Sequence, residues 1–219
     1  MSENKIKPPR ALYLVVASVL ILSMLAQWLF LKYGSSSNGQ YMDDGITATI
    51  VHATSAVTAF NLSDHNGNDF TQDNLLGKWS LLSFGYTHCP DICPSTLNTL
   101  NHVEKILHDK NSPVLPQIVF ITLDPERDDI ATLADYVPWF NKNFIGVTGD
   151  PEQLLALTKD LGIMSQKNPD QNKEGDYLID HTVTIMLTDT NGRLIALTSA
   201  PYDAKTIADD FIKITERFN

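Results

Sequence analysis

The sequence contains very little cysteine: its 219 residues include only Cys89 and Cys93, four positions apart. A structural disulfide framework normally has several widely spaced cysteines, because closing long loops constrains the unfolded chain most. We therefore interpret this single local pair as chemical rather than structural. Metal binding and thiol chemistry are the two roles that such a pair indicates.

Positive charge is also scarce, since 16 Lys and Arg residues face 26 Asp and Glu residues, for a net charge of -10. Residues 1–32 are nevertheless net positive, so the remainder is more acidic than the whole chain. Such a surface repels a phosphate backbone and excludes nucleic acid as a partner. The hydrophobic content of 43% supports a packed core rather than global disorder.

Charge is absent from residues 11–31, a run of 21 mostly apolar residues. At a helical rise of about 1.5 Å per residue, this length matches the hydrocarbon core of a bilayer. Lys5, Lys7 and Arg10 precede the run, whereas Lys32 alone closely follows it. The positive-inside bias predicts that residues 1–10 are cytoplasmic, that 11–31 form a transmembrane anchor, and that the rest lies outside.

A cleavable signal peptide is the alternative to an anchor. Its apolar region is normally shorter, and an Ala-x-Ala-like site follows it. This run is long, no such site follows it, and no cysteine lies near its end for lipoprotein processing. We expect an uncleaved single-pass anchor in a bacterial inner membrane, a flexible polar tether over 32–45, and one periplasmic domain over 46–219.

Residues 46–219 alternate between strand and helix patterns. Strands are predicted at 57–62, 69–71, 79–86, 117–123, 144–147, 182–188 and 194–198, and helices at 94–108, 129–141, 150–161 and 204–218. Pro138 is expected to kink or end the second helix. This order indicates a mixed α/β sheet, and a dithiol directly after a buried strand is typical of a thioredoxin-like fold.

Cys89 and Cys93 lie where the strand over 79–86 gives way to a helix. The positive end of a helix dipole favours the thiolate and lowers the pKa of a thiol. The spacing brings both sulfurs to one side if the cysteines lie on a helical turn. Two thiolates are soft ligands that favour Cu(I) and also suit Zn(II).

The segment FGYTHCPDICPSTL, residues 84–97, closely resembles the copper-site motif of the Sco/SenC family. The resemblance continues through TLDPERD at 122–128, FIGVTG at 144–149 and YLIDHT at 177–182. It covers the chain from about Phe60 to the C-terminus, and the single anchor helix also matches. Several long motifs in the right order are far more specific than an isolated C-x-x-x-C.

The resemblance implies a thioredoxin fold that delivers copper to, or prepares, the CuA site of cytochrome c oxidase subunit II. It makes Cys89 and Cys93 the thiolate ligands and His181 the imidazole ligand of one copper ion per chain. Such a set holds Cu(I) with three ligands, or Cu(II) when a further ligand or water joins. Asp180 is a candidate to orient the His181 ring, which we place just before a core strand.

The remaining histidines are weaker candidates. His88 adjoins Cys89, but neighbouring side chains diverge, so we expect no ligation from it. Four others are predicted to be solvated: His52, His65, His102 and His108. The DPERD segment is interpreted as structural, with Arg127 paired to nearby carboxylates.

Three other functions use the same cysteines. The main alternative is a thiol-disulfide oxidoreductase that reduces the CuA cysteines. Such enzymes in this fold typically have a C-x-x-C motif and a cis-proline that faces it. Here the spacing is C-x-x-x-C, and no proline lies between Pro169 and Pro201. A thiol peroxidase is disfavoured by Tyr86, where a threonine is expected. A copper or redox sensor stays open. We expect a metallochaperone rather than an enzyme, with other copper chaperones or thiol reductases as further partners.

Overall fold

The computed structural model describes residues 18–25, 27–28, 45–51, 56–169 and 176–218. The chain divides into two units, 1–44 and 45–219. In the first unit, residues 18–25 and 27–28 are helical. Within the described residues, no helix has both the length and the apolar character that crossing a membrane requires. Residues 1–10, the rest of the predicted anchor and the tether to residue 44 lie outside the described residues.

The second unit contains ten described strands and four α-helices. The strands are β1 Thr49–Ile50, β2 Asn61–Asp64, β3 Asp69–Thr71, β4 Ser80–Gly85, β5 Gln117–Thr122, β6 Ile145–Thr148, β7 Ser165–Pro169, β8 Tyr177–His181, β9 Thr184–Thr188 and β10 Leu194–Ser199. The helices are α1 Ile92–Asp109, α2 Ile130–Phe140, α3 Pro151–Asp160 and α4 Ala204–Phe218. A short 3-10 helix covers Gln72–Leu75.

Eight strands form one mixed sheet in the order β1-β10-β9-β4-β5-β6-β2-β3. The central strands β4, β5 and β6 are parallel, and the outer pairings are antiparallel. Gly85 and Thr122 are directly paired at the ends of β4 and β5. Because parallel strands end at the same edge, the loops that follow them emerge side by side, and this edge carries the candidate site.

Helices cover both faces of this sheet. Buried side chains of α1, α2 and α4 share one hydrophobic core with inward-facing residues of the central strands. Buried residues of α3 pack in a second core on the other face. All six residues of β4 are buried, as expected for a strand covered on both sides. The predicted mixed α/β architecture is confirmed.

The strands β7 and β8 pair with each other, not with the eight-stranded sheet. Their antiparallel register runs from Ser165 opposite His181 to Pro169 opposite Tyr177. We call this two-stranded element the arm. The sequence did not predict it, because β7 is polar and mostly exposed and gives no apolar alternation. His181 therefore ends a strand of its own, and the following core strand begins at Thr184.

Local signals at several element ends are confirmed. Asp150 caps α3, where its side chain accepts hydrogen bonds from the Glu152 and Gln153 N–H groups at 2.9 and 3.1 Å. The predicted bounds of β3 and α4 agree with the structure. The first predicted strand was placed too early, since β2 covers only Asn61–Asp64. Pro138 lies inside α2, which continues to Phe140 before it ends.

Candidate metal centre

The two cysteines occupy the turn that leads from β4 into α1. Cys89 lies in this turn, where its N–H donates to the Tyr86 carbonyl at 3.2 Å, and Cys93 is in the first turn of α1. Both are free thiols, 9% and 3% exposed. The Cys93 N–H donates to the Cys89 sulfur at 3.4 Å. The structure thus brings the two cysteines together at the strand-to-helix junction, as the sequence predicts.

The two thiols have opposite electrostatic environments. The pKa of Cys89 is lowered to about 5, chiefly because the Cys93 thiol hydrogen-bonds to its sulfur. Backbone N–H groups of Asp91 and Cys93 and the nearby His181 also lower this pKa, while burial opposes them. The same thiol hydrogen bond, together with burial, raises the pKa of Cys93. Near neutral pH, the pair therefore holds one thiolate, on Cys89, and one thiol, on Cys93.

His181 reaches this pair from the end of the arm. Its Nε2 lies 3.8 Å from the Cys93 sulfur. Its Nδ1 lies 2.9 Å from the Thr182 carbonyl oxygen, which only accepts hydrogen bonds. Nδ1 therefore carries the ring proton, and Nε2 presents its lone pair to the sulfur. The Tyr86 ring meets the imidazole edge to face at 6.4 Å between centroids.

Asp180 does not orient the His181 ring. Its side chain is exposed and accepts a hydrogen bond from Asn168 Nδ2 at 2.6 Å. Neighbouring residues on a strand point to opposite faces, so Asp180 turns away when His181 turns inward. The orienting partner is instead the backbone carbonyl of Thr182. Asp180 was only a candidate for this role, and its exposed side chain fits the alternative of a solvated carboxylate.

The two cysteines and the histidine are ligand types that bind soft or borderline metal ions. A metal with ordinary bonds of about 2.0 Å to nitrogen and 2.3 Å to sulfur spans a 3.8 Å gap at an angle of about 120°. That angle matches three-coordinate geometry. Across the described ranges, however, no three His, Cys, Asp or Glu side chains form a ready-made metal group. Cys93 lies beside both other candidates, with its N–H donating to the Cys89 sulfur at 3.4 Å and its sulfur 3.8 Å from His181 Nε2.

Gly85 makes room for the Cys93 sulfur. A Cβ atom on this glycine would lie 2.6 Å from Cys93 Sγ and 2.9 Å from Phe120 Cε2. Both distances are well inside van der Waals contact, so a larger residue would displace the sulfur. The sequence analysis quoted Gly85 within the family motif but assigned it no role.

Asp128 anchors the turn that carries Cys89. This carboxylate is fully buried. It accepts hydrogen bonds from the Thr87 N–H at 2.9 Å, the Thr87 hydroxyl at 2.5 Å and the Thr122 hydroxyl at 2.6 Å. The ends of β4 and β5 are thereby connected through one charged acceptor. Within the DPERD segment, Arg127 pairs with Asp124 at 2.5 Å, as expected.

The other histidines lie away from the sulfur pair or face solvent. His88 is partly exposed, and its Nδ1 lies 3.1 Å from the Thr87 hydroxyl. His102 and His108 are exposed on α1, as predicted. His65 is buried and accepts a hydrogen bond from the Gly146 N–H at 2.9 Å, so its predicted solvation was wrong. His52 lies outside the described residues.

The family model described as SCO1/SenC matches residues 49–216. The chain therefore belongs to the SCO1/SenC family. Among curated relatives, the mitochondrial SCO2 homologue of Danio rerio is 43% identical over 138 residues. The match covers 62% of this chain and 48% of that protein, so the chain spans about half of that relative's length.

Solved structures of relatives share the fold. Arabidopsis thaliana ScoI, solved with copper bound, is 32% identical with a TM-score of 0.70, over 74% of this chain and 99% of that one. Yeast Sco1, also solved with copper bound, is 36% identical with a TM-score of 0.67, over 74% and 89%. The predicted fold class is thereby confirmed for the domain that begins at residue 45.

Proposed function

We propose that this chain is a copper metallochaperone that binds one copper ion per chain through Cys89, Cys93 and His181. The observation that carries the proposal is the approach of His181 Nε2 to the Cys93 sulfur at 3.8 Å, beside the Cys89 thiol. Copper in the solved structures of two relatives supports the choice of metal. Soft thiolates with one imidazole are the ligand types that favour Cu(I).

The thiolate on Cys89 is the group that meets an incoming ion first, because it is already deprotonated and is the less buried sulfur. The Cys93 thiol has a raised pKa and must lose its proton as the ion binds. Loading therefore releases a proton from Cys93. Oxidation of the two cysteines to a disulfide would remove both thiolates and expel the ion, so loading depends on the redox state.

Copper titration of the purified full-length protein tests the ligand set. With the cysteines reduced, we expect one copper per chain. The double variant Cys89→Ser with Cys93→Ser should lose binding. His181→Ala should weaken binding and change the Cu(II) optical spectrum, whereas the exposed His102→Ala serves as a control without effect. A stoichiometry well above one, or unchanged binding by the double cysteine variant, would overturn the proposed site.

We further propose that the copper is delivered to the CuA site of cytochrome c oxidase subunit II. A second candidate uses the same residues: the Cys89 thiolate beside the Cys93 thiol suits reduction of the CuA cysteines by thiol-disulfide exchange. Two mixtures separate copper delivery from reduction of the CuA cysteines. The first contains the copper-loaded protein and reduced apo subunit II, and the second contains the metal-free reduced protein and oxidised subunit II. CuA absorption in the first mixture supports delivery. New thiols in the second, without copper transfer in the first, support the reductase.

Either role requires the domain to lie on the outer side of a bacterial inner membrane. The charge-free run over residues 11–31 and the preceding positive charges support this topology. Fusions of alkaline phosphatase after position 37 should be active, and the full-length protein should stay in the membrane fraction at high salt. A trimmed, soluble periplasmic form would show cleavage instead. An inactive fusion would contradict the topology and the delivery route with it.

A further inference from the structure

The position of His181 depends on how the arm is held, because neither of its two described strands pairs with the eight-stranded sheet. One fixed point is Ile179, which is buried in the core that also contains both cysteines. Its N–H donates to the Tyr86 hydroxyl oxygen at 3.1 Å. One point alone leaves the direction of a short strand undetermined, since the strand is still able to pivot about it.

A second fixed point lies at the start of β8 and is built around Arg127. Its Nη1 lies 2.5 Å from Asp176 Oδ1, and its guanidinium carbon lies 3.7 Å from the centre of the Tyr177 ring. Its Nε pairs with the fully buried Asp124 at 2.5 Å. The Tyr177 hydroxyl donates to the other oxygen of Asp124 at 2.7 Å. We call Asp124, Arg127, Asp176 and Tyr177 the Arg127 clamp.

The clamp and the imidazole lie on the same face of β8. Tyr177, Ile179 and His181 alternate with Leu178 and Asp180, so the first three face the body of the domain. Tyr177 and His181 are four residues apart, which is about 13 Å along a strand. Two fixed points on one face determine the direction of the strand, and a small rotation at Tyr177 displaces the ring at the other end. Metal sites tolerate misplacement of only about 0.5 Å.

Stability alone is a poor explanation of the clamp. The Arg127 side chain is 18% exposed, and its Nη2 is buried without a hydrogen-bond partner among the described groups. A buried N–H that is left unpaired destabilises the folded state. Replacing buried ion pairs with apolar groups is often neutral or stabilising. A planar guanidinium, in contrast, fixes direction well, because it binds carboxylates along defined lines and stacks on an aromatic ring.

We propose that Arg127 is a positioning residue for the copper site: it holds the start of β8 against Asp124 so that His181 Nε2 meets the Cys93 sulfur. The inference rests on the proposed copper function and deepens it. Among the described residues, Arg127 contacts the clamp, and its guanidinium carbon lies 5.8 Å from the centre of the Tyr86 ring. We therefore expect Arg127 to affect the site through His181. This dependence on His181 makes the proposal testable by a double-mutant cycle.

The cycle compares Cu(I) affinities, measured by chelator competition on the full-length protein, for wild type, Arg127→Ala, His181→Ala and the double variant. Outer partners of metal ligands typically contribute about 10–100-fold to metal affinity. We expect Arg127→Ala to weaken binding about tenfold and to broaden the His181 ring signals in NMR spectra recorded with Ag(I). In the His181→Ala background, the same substitution should change affinity less than about twofold.

Arg193→Ala is the matched control, since Arg193 also pairs with a buried carboxylate, Asp189, at 2.6 Å, but in the turn between β9 and β10. It should leave copper affinity unchanged. If Arg127→Ala fails to fold, two milder variants test the proposal. Arg127→Lys keeps the positive charge and removes the guanidinium group, and Tyr177→Phe keeps the ring and removes the hydroxyl group. For them we expect about three- to tenfold weakening.

Two results would overturn the positioning role. The first is wild-type affinity in Arg127→Lys, Tyr177→Phe and any folded Arg127→Ala. The second is an equal loss of affinity with and without His181, which would indicate a general structural effect. Failure of the ligand set itself is distinguishable, because His181→Ala would then bind copper with wild-type affinity.

Discussion

The dithiol turn and the arm contribute to one site but are held in different ways. The turn, residues 86–91, joins two covered elements, β4 and α1, and is tied to the sheet through the buried Asp128. The arm projects His181 from a separate two-stranded sheet, which is held through Ile179, the Arg127 clamp and the ion pair between Lys167 and Glu126 at 2.8 Å. Two of the proposed ligands therefore come from the rigid centre of the fold, while the third comes from an element whose direction depends on a few side chains. The comparison predicts that substitutions beside the dithiol change stability and copper binding together, whereas substitutions in the Arg127 clamp change mainly copper binding.

Gly85→Ala is expected to have the largest effect on the rigid half. The added Cβ would overlap Cys93 Sγ and Phe120 Cε2, and overpacking of this kind costs about 3 kcal/mol of unfolding free energy. Copper affinity should fall as well, because the sulfur is displaced. Chemical denaturation and copper titration measure the two effects.

Gly146→Ala is the matched control for Gly85→Ala. Its Cβ would lie 2.9 Å from Val137 Cγ2, away from the sulfurs, so we expect a comparable loss of stability with unchanged copper affinity. Equal copper affinities of the two variants would show that Gly85 does not position the dithiol.

Asp128→Asn should cost about 2 kcal/mol of unfolding free energy. The neutral amide replaces a buried carboxylate that accepts three hydrogen bonds, and bonds to charged acceptors are the stronger ones. The exposed Asp180→Asn should change neither stability nor copper affinity. A large loss of copper affinity in Asp180→Asn would indicate that Asp180 does orient the His181 ring, which contradicts the contacts seen in the structure.

The reactivity of the metal-free dithiol should depend on pH with a midpoint set by Cys89. Because its pKa is lowered to about 5, the thiolate forms as pH rises through that value. Iodoacetamide should therefore alkylate Cys89 about ten times more slowly at pH 4 than above pH 6. Cys93, whose pKa is raised, should remain nearly unmodified over this range. Mass spectrometry of the two peptides measures both rates, and equal alkylation would contradict the asymmetry.

Removing the two surface ion pairs of Asp209 should have the smallest effect on the free energy of unfolding. The pKa of Asp209 is lowered to about 2 by hydrogen bonds from Lys110 and then Lys205. A depressed carboxyl pKa stabilises the fold above the ordinary value of 3.8, and this contribution is lost as pH falls from about 4 to 2. Solvent screens the pairs, so Asp209→Asn should cost only about 0.5 kcal/mol at pH 7. Urea denaturation at pH 7 and pH 2.5 tests this, and an equal loss at both would contradict the linkage.

The sequence predicted the rigid half of the site well because its signals are local. A continuous apolar run marked β4, and Pro94 marked the first turn of α1, which begins two residues earlier at Ile92. The cysteines lie at this junction, Cys89 in the turn and Cys93 in the first turn of α1. The arm was missed because β7 has no apolar alternation, and a polar strand is recognisable only through its partner. The proximity of His181 to Cys93 was predicted from the family resemblance and from the position of His181 just before a predicted core strand.

Some contacts of the site could not be read from the sequence at all. The buried state of His65 and the hydrogen bonds of Asp128 depend on pairing between strands distant in the chain. The Thr182 carbonyl, which orients His181, is a backbone group and leaves no sequence signal. Packing across the fold, rather than local propensity, determines these features.

The two outermost strands of the large sheet are very short. In the described part of the chain, β1 has two residues and β3 has three, and they flank six other strands. Unpaired strand edges are templates on which further chains add, and shortening them is one way that proteins prevent it. The short edge strands of this domain therefore limit the addition of further chains to its large sheet.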